Sequence, residues 1–272
     1  MAGSRLSKPP EDIRRENTWM ALALASVAGF VDAVGYMVLQ ELFTAHMRGN
    51  TARLGVFLGH GDVSAAIPLA AAILLFIFGI ALGATVSELA TRQGIQSTAA
   101  IVLGLQAALL AVFMTYGSMV VRHGSVSVHP LGGFYVLAAL AIVSMGLQAC
   151  TLQQIAGRTV RTTYVSGVLT ALAQEGVNYL FWLRDGDRRE KASYLGEVVG
   201  LGSRQESLGR VVILGGVWCL YLVGAVWGSY AEGLWRLRSF VFPLGVLAIA
   251  IVADLRRPIN AVEQAGGRSE AR

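Results

Sequence analysis

Asp32 is the residue whose position in the sequence most clearly predicts chemistry. It lies within Trp19–Leu42, an apolar run that is long enough for a transmembrane helix. A carboxylate near the bilayer centre costs about 2.5–3.5 kcal/mol on insertion scales, so it should face the bundle interior or water. It could carry a proton, bind a cation or anchor a substrate. The alternative is a structural carboxylate that bonds to backbone groups where the first helix is broken or packs on a partner.

The segment Thr44–Thr51 follows this run and contains His46, Gly49 and Asn50. Glycine permits unusual backbone angles, asparagine can cap a new helix, and histidine titrates near neutral pH. A helix broken at membrane depth would expose backbone groups suited to an ion or a small polar solute. An ordinary surface loop with a helix cap is the alternative, and His46 could simply hydrogen-bond at the interface.

An internal repeat extends the candidate site into the second half of the chain. Gly29 matches Gly146, and Gly49 matches Gly167, at separations that differ by one residue. The second copy offers neutral polar side chains, which could line a site or form interhelical hydrogen bonds. These candidates are Gln148, Thr162, Thr163, Ser166 and Gly167.

The elements that must position these residues are membrane helices. Apolar residues make up 54% of the 272 positions and charged residues only 14%, which is too apolar for an aqueous domain of this size. The composition predicts an all-α polytopic bundle with the lipid bilayer as its surroundings. Six spans of suitable length are predicted: Trp19–Leu42, Val63–Val86, Ser97–Val120, Leu131–Gln153, Val211–Ala231 and Ser239–Ala253.

A GxxxG motif recurs in the second predicted helix of each half, and it lets two helix backbones approach closely. The glycines are Gly79 and Gly83 in the first half, and Gly224 and Gly228 in the second. Three helices per half would give the two halves opposite orientations in the membrane, as in many secondary transporters. The predicted organisation is a polar tail (1–18), two inverted three-helix repeats (19–121 and 122–254), a cytoplasmic loop within the second (184–210), and a polar tail (255–272).

The distribution of basic residues predicts the orientation. With the N-terminus inside, only Arg48, Arg53, Arg122, Arg236 and Arg238 of the 22 basic residues fall in outer segments. Both termini are therefore expected in the cytoplasm, with the chain in a bacterial inner membrane. The stretch 164–183 is long enough to span but contains polar residues. An interfacial helix, a cavity-lining helix and a seventh span stay open, and a membrane-associated segment is favoured.

Several functions are not indicated by the sequence. The basic residues flank apolar spans instead of forming a nucleic-acid surface, and no histidine or cysteine spacing predicts a metal site. No cofactor or catalytic motif is present in the context that it would require, so we expect no enzyme. The GxxxG faces could serve within one chain or between copies, which leaves a homo-oligomer open.

Sequence motifs in the two halves together resemble the bacterial YoaK-like family, also catalogued as domain of unknown function 1275. The resemblance rests on a Gly-x-x-Asp helix, a His-Met-x-Gly-Asn segment, a Met-Gly-Leu-Gln helix and Val-Arg-Thr-Thr-Tyr-Val-Ser-Gly. It covers about Trp19 to Asp254 and implies a polytopic membrane protein without naming a substrate. Ala45, Arg48 and Ala149 replace the usual serine, threonine and asparagine of the family pattern.

These features favour a transporter of a small polar or ionic solute. Its transport could be coupled to protons or to another cation. The solute would bind near the midplane, between Asp32 and the two glycine-containing breaks. The alternative is an intramembrane binding or accessory protein that does not transport.

Overall fold

The structure is a computed structural model that describes residues 11–121, 131–156, 167–174, 176–177, 180–181 and 194–258. These residues form helices, turns and short connections, with no strand among them. The helices are α1 (Glu11–Val38), α2 (Met47–Gly59), α3 (Val63–Arg92), α4 (Thr98–Val120), α5 (Leu131–Ala156), α6 (Tyr194–Trp235) and α7 (Val241–Arg256), with a 3-10 helix at Arg236–Phe240 between the last two. Residues 167–174, 176–177 and 180–181 are also helical.

Within the described part of the chain, five helical segments are long and apolar enough to cross a membrane. They are Thr18–Val38, Val63–Arg92, Thr98–Val120, Gly133–Leu152 and Val211–Arg256. Large apolar side chains such as Leu74, Phe78 and Ile249 are exposed on them, as lipid-facing residues should be. The predicted all-helical, polytopic membrane fold is therefore confirmed.

The helices α1 and α6 pack side by side and run parallel. Gly224 lies against the backbone of Ser26, and Gly228 lies one turn further along, against Phe30. A β-carbon at Gly224 would overlap the carbonyl oxygen of Ser26. The close approach of the two backbones therefore depends on glycine at this position.

The helices α3 and α5 form a second parallel pair of the same kind. A β-carbon at Gly79 would lie 2.5 Å from the carbonyl oxygen of Val143, and one at Gly83 would lie 3.4 Å from Leu147. All four predicted packing glycines therefore lie at contacts between a helix of the first half and a helix of the second.

The helix α4 is antiparallel to both α5 and α7. Phe113 packs against Phe240 at one end of α7, with ring centroids 4.9 Å apart. At the other end, the backbone N–H of Ala100 donates to the Asp254 carboxylate at 2.7 Å, so this buried acid binds the first turn of α4.

Between α1 and α2 the chain turns back along α1. Gln40 and Glu41 adopt left-handed backbone angles (φ 52° and 63°), so the helix ends at Val38, before the predicted limit at Leu42. Thr44 then packs on Gly35 and hydrogen-bonds to Asp32. At about 1.5 Å per residue, the loop has returned about 9 Å along α1 before α2 begins.

In the second half, the stretch 184–210 was predicted as a cytoplasmic loop or a short helix. Its described part, residues 194–210, is helical and continues without interruption into the apolar part of α6. Residues 184–193 lie outside the described residues. In the stretch 164–183, the described residues from Gly167 onward are helical, and whether this stretch crosses the membrane stays open.

Candidate functional site

Asp32 is buried, with 3% of its surface exposed, and its carboxylate accepts four hydrogen bonds. Oδ1 accepts from the backbone N–H groups of Thr44 and Ala45, both at 2.8 Å, and from the Thr44 hydroxyl at 3.1 Å. Oδ2 accepts from the hydroxyl of Tyr221 on α6, at 2.7 Å. The carboxylate thus joins the end of α1, the returning loop and a helix of the second half.

All four donors to Asp32 are neutral groups. Among the described residues, no basic side chain is recorded within ion-pair distance of this carboxylate; Arg53, Arg92 and Arg236 instead pair with Glu41, Glu88 and Glu232. None of the four donors brings a positive charge to the carboxylate. The predicted roles in binding a proton, a cation or a substrate stay predictions, and the structure gives the residue an additional role as the anchor of the loop.

Asn50 fixes the same loop from its other side. Its side-chain amide donates to the carbonyl of Phe43 at 2.8 Å and accepts from the N–H of Phe43 at 3.2 Å. Asn50 therefore does not cap α2, although the sequence had allowed it to cap a new helix. His46 occupies the cap position without a side-chain hydrogen bond, and Gly49 lies directly beneath its ring.

Gln148 forms a second buried polar contact between the halves. Its Nε2 donates to the carbonyl of Leu24 on α1 at 2.6 Å, and its Oε1 accepts from Nε2 of Gln106 on α4 at 2.6 Å. Gln148 and Gln106 are almost completely buried. Since an amide oxygen accepts two hydrogen bonds and an amide nitrogen donates two, Gln148 retains capacity for a ligand.

A cavity lies between these two polar contacts. Both halves of the chain line it, and the walls are mainly apolar. The lining residues are Ala21, Ala25, Ala28, Ala45 and Phe76 from the first half, and Met145, Gln148, Ala149, Leu152, Val168, Val217, Trp218 and Tyr221 from the second.

The two glycine-containing segments both reach this cavity. Ala45 comes from the loop that Asp32 anchors, and Val168 comes directly after Gly167. Val168 is buried against Ala25 and Val217, whereas Gly167 is exposed. Thr162, Thr163 and Ser166 were predicted to line the site and lie outside the described residues.

Tyr221, Gln106 and Trp218 belong to this region and were missed by the sequence analysis. Tyr221 and Trp218 are ordinary residues of an apolar helix, whereas Gln106 is a polar amide in an apolar run and could have been noticed. The partners of these residues lie far away in the chain, so the sequence does not identify them. The internal repeat offered one signal for the cavity itself: Ala149 occupies the repeat position that corresponds to Asp32. The second half therefore has a methyl group at the position where the first half has a carboxylate.

The fold and the apolar helices define a multi-pass membrane protein with a cavity between its two halves. Residues 20–253 match the family described as a protein of unknown function, DUF1275, and the chain belongs to that family. It is similar to the UPF0700 transmembrane protein YoaK of Bacillus subtilis (strain 168), with 27% identity over 216 residues that cover 79% of this chain and 84% of the relative. No solved structure matches this chain.

Proposed function

We propose that this protein transports a small solute across the bacterial inner membrane through the cavity between its two halves. The observation that carries the proposal is the lining of that cavity, to which both halves and both glycine-containing segments contribute. Ligand sites of secondary transporters lie at such a meeting point, where irregular backbone borders a cavity. The polar or ionic solute expected from the sequence would meet Gln148 and the Tyr221 hydroxyl within mainly apolar walls.

The proposal includes six membrane crossings. The segment Val211–Arg256 contains 46 residues, about twice the length of one span, and the 3-10 helix divides it. At 1.5 Å per α-helical and about 2 Å per 3-10 residue, Arg236–Arg256 extends about 34 Å, which suffices for a sixth crossing. The antiparallel packing of α7 on α4 supports this assignment.

The proposal also includes inverted repeats, with both termini in the cytoplasm. A β-carbon at Gly29 would overlap the backbone of Tyr221, and one at Gly146 would lie 2.6 Å from the carbonyl oxygen of Phe76. Each of these partners comes one turn before the GxxxG motif of its helix. The two parallel pairs therefore make corresponding contacts, as two halves related by a pseudo-two-fold axis would.

The second candidate is a binding or accessory protein that holds its two halves in one arrangement. The saturated hydrogen bonds of Asp32 favour it, because they join the halves through Tyr221. The cavity favours transport, because it lies where the two halves meet and would have to move against each other. We propose no catalytic activity.

Retention of solutes in proteoliposomes tests the proposed function. Vesicles would be loaded with choline, glycine betaine, alanine, putrescine and acetate, and the retained amounts followed by mass spectrometry. We expect at least one solute to leave faster from vesicles with the wild-type protein than from vesicles with Ala149→Trp, which fills the cavity.

Val112→Trp supplies the matched control, because it introduces the same side chain at an exposed position on α4. Its vesicles should behave like the wild type. Equal retention of every solute by wild-type protein, both variants and empty vesicles would favour the accessory role instead.

A further inference from the structure

We infer that the cavity selects a small organic cation with an apolar body, in preference to neutral or anionic solutes of the same shape. This inference names the substrate class of the site and rests on the proposed function.

The first argument is the charge at the cavity wall. Ala45 and Tyr221 line the cavity, and both donate hydrogen bonds to Asp32, at 2.8 and 2.7 Å. The carboxylate therefore lies directly behind that wall. No charged side chain is among the described residues that line the cavity, and the donors to Asp32 are neutral. A negative charge in surroundings of low dielectric attracts a cation over several ångströms and repels an anion.

The second argument is the chemistry of the lining. Phe76, Trp218 and Tyr221 are aromatic, and aromatic side chains around a cavity bind ammonium groups through the negative potential of their faces. Most of the other lining residues are aliphatic, which suits an apolar body. Because the Tyr221 hydroxyl donates its hydrogen bond to Asp32, the oxygen of this hydroxyl can still accept a hydrogen bond from a ligand.

The third argument is the place of the unfilled volume. Ala149, at the repeat position of Asp32, lines the cavity on the side of the second half. The two corresponding positions thus carry one carboxylate (Asp32) and one small side chain (Ala149). The space beside Ala149 could hold a single ligand cation. Two carboxylates would have repelled each other in the same site.

Three probes of one shape separate charge from size: choline (cation), 3,3-dimethylbutan-1-ol (its neutral carbon isostere) and 3,3-dimethylbutanoate (anion). Their Kd values for the purified full chain in detergent would be measured by calorimetry. We expect choline to bind about tenfold or more tightly than the alcohol, and the anion more weakly still. Asp32→Asn should reduce the preference for choline to about twofold or less, and Ala149→Trp should abolish binding of all three, whereas Val112→Trp should retain it.

An alcohol or an anion that binds as tightly as choline would overturn the inference, and so would the failure of all three probes to bind. The comparison of the wild-type protein with the isosteres decides the question even if Asp32→Asn does not fold. The two proposals fail separately: cation-selective binding without solute loss from vesicles removes transport alone, and transport without cation preference removes this inference alone.

Discussion

At the scale of single residues, Asp32 and Asn50 together hold the loop that turns back along α1. Asp32 accepts from the backbone of Thr44 and Ala45, while Asn50 binds both backbone polar groups of Phe43. In the membrane interior, water is not available to satisfy these groups, so side chains must do so. This requirement explains how a stretch of irregular backbone can lie beside a transmembrane helix.

Substitution of Asp32 should separate its two roles. Asp32→Ala leaves two N–H groups and two hydroxyls without their acceptor, and we expect it to lower the free energy of unfolding by about 3–5 kcal/mol. Asp32→Asn retains one acceptor oxygen of the same shape and should cost about 1–2 kcal/mol. We also expect Asp32→Asn to insert and fold but to abolish any proton or cation dependence of activity.

Thermal unfolding in detergent and the pH profile of activity measure these two effects. Equal activity and an equal pH response in Asp32→Asn and the wild type would contradict the functional part. Equal stability of Asp32→Ala and the wild type would contradict the anchoring part.

Replacement of Asn50 by Leu should free the loop without a change of charge or much change of volume. The N–H and the carbonyl of Phe43 would lose their partners, for an expected cost of about 2–3 kcal/mol. Thr51→Ala, at an exposed neighbouring position, should cost less than about 1 kcal/mol. Similar melting temperatures for the two variants would refute this role of Asn50.

Asp32 could be singled out from the sequence, because a carboxylate in an apolar run has few explanations. Its donors could not, since backbone N–H groups carry no sequence signal and Tyr221 lies on a distant helix. The sequence allowed Asn50 to cap a helix, but its side chain binds Phe43 instead. This partner could not be identified either, because Phe43 becomes close only after the chain reverses at Gln40 and Glu41.

At the scale of elements, two parallel helix pairs join the halves through glycine contacts. The GxxxG motifs predicted close helix packing, but spacing alone could not identify the partner helix. In the structure, the partner comes from the other half in both pairs. Movement of one half against the other would therefore have to take place at these smooth, glycine-lined contacts.

Alanine at Gly224 should disrupt the contact of α1 and α6. Its β-carbon would overlap the carbonyl oxygen of Ser26, a backbone atom that cannot rotate away. We expect a loss of about 1–3 kcal/mol in the free energy of unfolding. Gly104→Ala is the control, because its β-carbon would meet open space, and it should be neutral or slightly stabilising. A Gly224→Ala variant as stable as the wild type would contradict the dependence of this contact on glycine.

At the scale of the whole molecule, we propose two halves of opposite orientation around the cavity. Composition and span length predicted the membrane fold, and the short repeat predicted which glycines correspond. The mainly apolar lining of the cavity was not predicted, since it depends on which faces of six chain segments meet.

The orientation of the halves can be tested with single cysteines in a background that lacks both native cysteines, Cys150→Ala with Cys219→Ser. His60→Cys, in the exposed turn before α3, should react with a membrane-impermeant maleimide added to intact cells. Gln93→Cys, in the exposed turn after α3, should react only after the inner membrane is opened. Labelling of both positions from the same side would contradict the proposed topology.

The central claim, a cavity that opens to each side of the membrane in turn, is tested most directly at Ala149. In the same background, Ala149→Cys would be treated with a small impermeant methanethiosulfonate from either side of oriented vesicles. Ala141→Cys, completely buried on the same helix and away from the cavity, is the control. The account predicts that Ala149→Cys is modified from both sides and Ala141→Cys from neither; modification of Ala149→Cys from one side only, or from neither, would contradict it.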